Sequence, residues 1–267
     1  MPGAEAAVPI GADRVTDALA VDVEHLVAAI GGMASISNRG RAGLLITGVS
    51  IPTLNGVLTR RPSAAAADVR ALLEIVATMD LPYSLILRPG FAPELVQVAR
   101  SFGMTEAESI PLMAMPRNIK EARNAADHPD LQIRVLDPDD AGVHVSLAAE
   151  GFETPRDAFE KLIPPALMRR PGHKAYVGTV DGQDVTTVFS VLLNNSIGIF
   201  DVCTPPRYRG RGYGRAITAR AVLDGFEGGA DFAYLQSTPM GYKIYQDIGF
   251  ETIETWRCWV SVPPSRS

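Results

Sequence analysis

Cysteine is scarce. Only Cys203 and Cys258 occur among 267 residues. Two thiols so far apart in sequence supply neither the clustered ligands of a zinc site nor a disulfide framework, so both read as buried thiols and no metal is expected. No run of about 18 apolar residues occurs and no basic start precedes a long apolar stretch, which gives no sign of a membrane span or a secretion signal and points to the cytoplasm. Positive charge is short as well. The net charge is −5, and no stretch holds the sustained Lys/Arg surplus on which nucleic-acid binding relies. What remains, 46% apolar and 21% charged residues, describes a globular chain of one or two domains.

One stretch organises the rest. Residues Ile197 to Gly214, IGIFDVCTPPRYRGRGYG, read as a buried strand up to Cys203, a proline-punctuated turn and an arginine–glycine loop. The helix that follows (RAITARAVLDG) spaces its apolar residues at helical intervals. Without Cβ atoms at Gly210, Gly212 and Gly214, an anion can approach the backbone closely, and the unpaired N–H groups of a first helical turn point toward it. The spacing is neither G-x-G-x-x-G nor a P-loop, which would need Lys-Ser/Thr after the last glycine. It differs also from disordered arginine–glycine tails, which lack a strand before and a helix after.

In order, Met1 to about Asp13 reads as a loose end. Asp17 to Ile30 fits a helix stopped by Gly31-Gly32. A strand over Leu44 to Ser50 leads through Ile51 to Gly56 and the turn Arg61-Pro62 into a helix capped by Ser63 and running to Met79. Leu81 to Leu87 is a strand, Pro93 to Phe102 a short helix closed by Gly103, and Ile110 to Met115 another strand. Arg117 to His128 is polar and reads as a boundary. Beyond it come a strand (Leu131 to Val135), helices over Asp137 to Glu150 and Asp157 to Met168, and a hairpin of Lys174 to Val180 with Val185 to Leu193 around Asp181-Gly182-Gln183. Strand, turn, long helix, strand, short helix and strand thus recur in both halves, as an internal repeat would. Two unrelated halves of similar order remain the alternative.

Two motifs together carry a resemblance. Arg209-x-x-Gly212-x-Gly214 resembles the Gln/Arg-x-x-Gly-x-Gly/Ala pyrophosphate loop of the GCN5-related N-acetyltransferase (GNAT) superfamily. Thr238-x-x-Gly241-x-x-x-Tyr245-x-x-x-Gly249-Phe250 resembles that superfamily's later Asn-x-x-Ala-x-x-x-Tyr-x-x-x-Gly-Phe, with Thr for Asn and Gly for Ala. The match covers Leu131 to Val260 strongly and the first half weakly, since Arg61-Pro62-Ser63-Ala64 replaces the glycine loop there and Ala99 stands where Tyr245 stands in the second. The resemblance implies an α/β chain with a mixed sheet in a tandem GNAT fold: residues 1–128 form a degenerate, structural half and residues 129–267 a catalytic one.

It also implies acetyl-CoA as cosubstrate and a small-molecule or peptide amine as acceptor. Transfer would then be direct attack in a ternary complex, by a monomer with tandem halves or a homodimer. The arm of the cofactor would pair with the backbone of Val202, Cys203 and Thr204, because Pro205-Pro206 stops that strand from continuing its ladder. The pyrophosphate would lie on Arg209, Gly210, Arg211, Gly212, Tyr213, Gly214 and Arg215, and the Thr238 hydroxyl would bond the arm. Tyr245 is the candidate general acid for the leaving thiolate, against a purely core reading. Asp201, a carboxylate inside an apolar strand, is the candidate base through water, against simple binding of a cationic acceptor. His144 and His173 sit in no motif and read as structural. Phe152 and Glu153 border the acceptor pocket in the superfamily; Trp256 and Trp259 pack between the halves or line an acceptor groove. The alternative to an enzyme is a non-catalytic acyl-CoA sensor.

Overall fold

A computed structural model describes residues 10–262. The loose end expected at the N-terminus lies outside the described residues as far as position 9, while helix α1 (Ala12–Ile30) already takes in Ala12 and Asp13. Gly31, at φ 65°, ends α1 as expected. Then come β1 (Ser35–Arg39), β2 (Ala42–Ile46) and β3 (Asn55–Thr59). The strand that precedes the Arg61-Pro62 turn is therefore β3, a correction to the single strand expected over Leu44 to Ser50. In the fold Asn55 is fully buried, its Oδ1 accepting from the Thr47 and Gly48 amides and its Nδ2 donating to the carbonyls of Val49, Ile51 and Pro82. One side chain thus satisfies the polar backbone of the loop between β2 and β3.

Helix α2 (Ala66–Ala77) buries Val69, Leu72, Leu73 and Val76 along one face. Its N-cap is Ala65, with no side-chain bond, so Ser63 does not cap it. Strand β4 (Tyr83–Leu87), α3 (Glu94–Ser101), the short β5 (Thr105–Glu106) and β6 (Ile110–Pro116) complete the first half. The polar stretch read as a boundary is helix α4 (Ile119–Ala126), opened by Asn118, whose side chain accepts from the Glu121 amide and donates to the Glu121 carboxylate.

The second half runs β7 (Gln132–Val135), α5 (Ala141–Gly151), α6 (Arg156–Leu162), α7 (Pro165–Met168), β8 (His173–Val180), β9 (Gln183–Leu193), β10 (Ser196–Cys203), α8 (Tyr213–Glu227), β11 (Phe232–Gln236), α9 (Pro239–Ile248) and β12 (Glu251–Ser261). Pro164-Pro165 divides the helix expected over Asp157 to Met168 into two.

All strands join one mixed sheet in the order β1-β2-β3-β4-β12-β6-β11-β10-β9-β8-β7, with β5 paired to β12. Each half contains the same unit: β3 runs parallel to β4 as β10 runs parallel to β11, and α2 and α8 are the crossovers. The last strand of each unit pairs with the other one, β12 lying against β4 and β6 against β11, with β12 and β6 antiparallel at the centre. Helix α1 lies across the junction. Val15 and Leu19 pack on β4, β6, β11 and β12 residues, and Leu26, Ala29 and Ile30 pack with α5, α6 and α7. The opposite face of the second unit carries α8, α9 and α4.

Candidate active site

Strands β10 and β11 pair at only three positions, Ser196 with Phe232, Ile197 with Ala233 and Gly198 with Tyr234. Beyond Gly198 the two strands part, leaving a wedge-shaped gap open at its C-terminal end. Two local features enforce the parting. Against β9, the register slips between Phe200 and Cys203, and Asp201 takes the left-handed conformation at φ 49°. A non-glycine residue held so, in a bulge, carries strain of order 1–3 kcal/mol. Then Pro205-Pro206 ends the strand.

The gap leads to the glycine loop. Gly212, at φ 84°, is the N-cap of α8, and the amides of Gly212, Tyr213, Gly214 and Arg215 donate to no acceptor among the described residues. A helix start with free amides and no Cβ at Gly210 or Gly212 is an anion cradle. The side chains of this loop divide in a way the sequence did not show. Arg209 points inward, donating to the carbonyls of Thr204 at 3.0 Å and Gly151 at 2.7 Å. Arg215 likewise donates to the Ala125 carbonyl at the end of α4. Both expected phosphate contacts are thus helix and turn ties. The Arg211 guanidinium is exposed and has no partner among the described residues. The Tyr213 ring is buried with Leu131 and Val185 against His128, so only its amide faces the cradle. The Thr204 hydroxyl pairs with that of Thr186, and Thr186 also donates to the Cys203 carbonyl. Thr238 caps α9, accepting from the Gly241 amide; its hydroxyl proton alone is left for a ligand.

Tyr245, only 8% exposed, belongs to the buried cluster that includes Ile199 of β10 and the inner face of α8, and it lies near enough to Cys203 at the end of β10 to feel its charge, which sets it beside the gap. A Cβ at Gly241 would lie 2.7 Å from the Tyr245 ring, so glycine in place of the superfamily's alanine gives that ring its position. Burial first, and the Cys203 side chain second, raise the phenol above its ordinary range. It therefore stays protonated and able to donate. Cys203 is a buried thiol pushed up to about 12 by burial and by Asp201. Val202 packs on the α8 core. Phe152 is exposed against Phe159, and Glu153 sits in a left-handed turn; neither borders the cavity described next.

Asp201, its side chain 24% exposed, points with Phe200 into an apolar cavity of about 110 Å³ on the α1 side of the sheet. His144, fully buried on α5, sets its Nε2 3.8 Å from Asp201 Oδ2. Its Nδ1 lies 2.6 Å from Thr187 Oγ1, whose own proton goes to the Tyr176 carbonyl. The Nδ1 must therefore donate, and the Nε2, which has no hydrogen-bond partner among the described residues, faces the carboxylate. Sequence reading set His144 aside because nothing local links positions 144 and 201. The bulge joins them. Trp256 borders a second cavity and Trp259 packs in the first half's core, so the two indoles occupy different surroundings.

No protein-family model and no curated protein matches the sequence. Solved structures do match the fold. A GCN5-related N-acetyltransferase from Kribbella flavida superposes with a TM-score of 0.70 at 21% identity, over 96% of this chain and 98% of that one. One from Sphaerobacter thermophilus gives 0.61 at 14%, over 97% and 95%. A tandem GNAT protein from the clavulanic acid biosynthesis pathway gives 0.57 at 16%, over 99% and 92%. The class is thereby defined: the chain has the mixed α/β fold of the GNAT superfamily, in tandem. Among the described residues no helix is long and apolar enough to cross a membrane.

Proposed function

We propose that the protein transfers the acetyl group of acetyl-CoA to a primary amine by direct attack, with residues 129–267 as the catalytic half and residues 1–128 as its structural partner. One observation carries the reading: the gap beyond the Gly198–Tyr234 pair runs from free helix amides at Gly212 to Arg215 toward the Asp201 bulge, with the Tyr245 core alongside. A pyrophosphate suits the amides, with Arg211 adding charge, and an extended amide-bearing arm suits unpaired strand edges. The corresponding place in the first half is bridged. Thr59 Oγ1 accepts from the Arg88 amide and donates to the Ile86 carbonyl, tying β3 to β4 where β10 and β11 part.

In this reading the amine nitrogen attacks the thioester carbon and the C–S bond breaks. The Asp201–His144 pair takes a proton from nitrogen, and Tyr245 gives one to sulfur. Calorimetric titration with acetyl-CoA and thiol release in the presence of amines test it. Binding with turnover that Tyr245→Phe and Asp201→Asn abolish, at unchanged cofactor affinity, is the expected result. Absence of binding at millimolar acetyl-CoA would end the proposal, and binding without turnover on any amine would make the chain a sensor.

A further inference from the structure

The cavity that Asp201 enters is not built by the second half alone. Helix α1 of the first half contributes Asp22, Val23 and Leu26, and α6, α7, β8 and β9 supply most of the rest. Its lining is apolar except at three side chains, Asp22, Asp201 and His173. Asp22 is 5% exposed. The Tyr234 hydroxyl donates to its Oδ2, and its other oxygen has no partner among the described residues. The approach depends on Gly198, where a Cβ would stand 2.5 Å from Asp22 Oδ2. Since Gly198 and Tyr234 are the last pair before β10 and β11 part, Asp22 sits at the apex of the gap. His173 is also buried. Its Nδ1 donates to the Pro171 carbonyl, and its Nε2 has no partner. Burial lowers its pKa, so it faces the cavity uncharged. A second cavity of about 200 Å³, largely apolar but with Glu24, Asn38, Arg60 and Gln236 also on its wall, adjoins the first through Val23, Leu26, Leu54 and Phe200.

We propose that the acceptor is a primary monoamine with a compact apolar body: its ammonium rests on Asp22 at the apex of the gap, beside Asp201, and its body fills the cavity beneath α1. This rests on the acetyltransferase reading above and adds to it a residue of the first half. Two carboxylates and a bare imidazole nitrogen demand a cation or a hydrogen-bond donor. An acyl chain there would offer no donor to the second Asp22 oxygen or to His173 Nε2. Apolar walls in turn reject a second charge, which disfavours polyamines and lysine side chains flanked by peptide backbone. A dry cavity of about 150 Å³ takes a benzene ring, so the two adjoining spaces suit a ring or a short alkyl body.

The protons balance as follows. On binding, the ammonium gives one proton to Asp22. The freed amine attacks, the C–N bond forms, and nitrogen's second proton passes to the Asp201–His144 pair as C–S breaks and Tyr245 protonates sulfur. The Asp201–His144 proton returns to Tyr245 through water, and the Asp22 proton leaves to solvent, matching the one proton released overall.

The test uses the full chain, with 2-phenylethylamine, hexylamine, spermidine and a lysine peptide as acceptors in a thiol-release assay, and calorimetry of 2-phenylethylamine binding without acetyl-CoA. Phenylethylamine and hexylamine are expected to exceed spermidine and the peptide about 100-fold or more in kcat/KM. Asp22→Asn, which still accepts from Tyr234, should lower kcat about 100-fold, abolish phenylethylamine binding and leave the KM for acetyl-CoA unchanged. Tyr234→Phe should keep turnover and move the ascending limb of its pH profile upward, because that hydroxyl favours the Asp22 carboxylate; the other titratable groups around Asp22, namely His25, His173, Asp201 and Glu24, are retained. Turnover of spermidine or the peptide as fast as phenylethylamine, or an Asp22→Asn enzyme with unaltered kcat, overturns the inference and leaves the acetyltransferase reading standing. Phenylethylamine binding that depends on Asp22, with no thiol released, supports the amine site and overturns the acetyltransferase reading.

Discussion

Asp22 is costly where it stands. Burial raises its carboxyl from the ordinary 3.8 to about 7, only partly offset by the hydrogen bond from Tyr234. The folded protein therefore holds a proton at Asp22 between those values that the unfolded chain has lost. Since stability changes with pH as protons bound in the unfolded state minus those bound in the folded state, this group's contribution is fully present below about pH 4 and is lost as pH rises through about 7. Asp22→Asn removes the effect without removing the acceptor for Tyr234. Relative to wild type, the variant should be nearly unchanged in stability at pH 4 and more stable by on the order of a few kcal/mol at pH 8. Denaturant titrations at the two pH values check this, and the difference cancels the shared contribution of His173. A variant that gains stability as it loses turnover marks a residue retained for chemistry. Residues of this kind were hidden in the sequence: Asp22 acquires its meaning from Tyr234, more than 200 positions away, whereas Gly212 and Tyr245 carry theirs in adjacent motif positions.

At the level of elements, the loop before α8 shows why charge in a motif is not the same as charge on a ligand. The Arg209 guanidinium closes the C-terminal end of α5 through Gly151 and the end of β10 through Thr204, where a Cβ at Gly151 would already collide with the Cys203 sulfur at 1.8 Å. The Arg211 side chain, two residues on, has no partner among the described residues. Arg209→Ala should cost about 1.5–3 kcal/mol of stability, the worth of charged hydrogen bonds to buried carbonyls, and change acetyl-CoA affinity only as the loop loosens. Arg211→Ala should leave the melting temperature unchanged and weaken acetyl-CoA about three- to tenfold, with the loss shrinking as salt rises. Thermal melts beside calorimetry at two ionic strengths separate the two. The order of most strands and helices was legible because periodicity and punctuation are local, and so was the strand–loop–helix around Gly212. The bulge at Asp201 was not, because a slipped register is a property of two strands. Helix α4 was missed although Asn118-x-x-Glu121 opens it, since four short apolar residues on a polar helix bury only in the presence of α8.

Across the molecule, the exchange of last strands decides how the halves depend on each other. The centre of the sheet is β12 against β6, and each is bordered on its outer side by the other half's β4 or β11. The exchange is fastened by Arg88, whose 2%-exposed side chain at the end of β4 makes a bidentate contact at 2.8 Å with Glu254 of β12 and a further one with Asp13 of α1. Removing Glu254 leaves a buried guanidinium with only the Arg60 carbonyl and the exposed Asp13 carboxylate as partners, and breaking such a pair costs about 3–5 kcal/mol. Glu254→Ala should therefore lower the melting temperature by roughly 10 °C. The shape of the transition says more than its midpoint. Two independent domains would melt in two steps, with Glu254→Ala shifting one. Because every route through the sheet crosses both halves, and α1 packs on each, wild type and variant should each show a single calorimetric transition whose calorimetric and van't Hoff enthalpies agree. Chains ending at 128 or starting at 129, each with an uncovered central strand edge, should unfold without a cooperative transition. If either half melts cooperatively at the midpoint of the whole, the shared sheet does not couple them, and the wall that α1 lends to the acceptor cavity would be an attachment and not part of one folded unit.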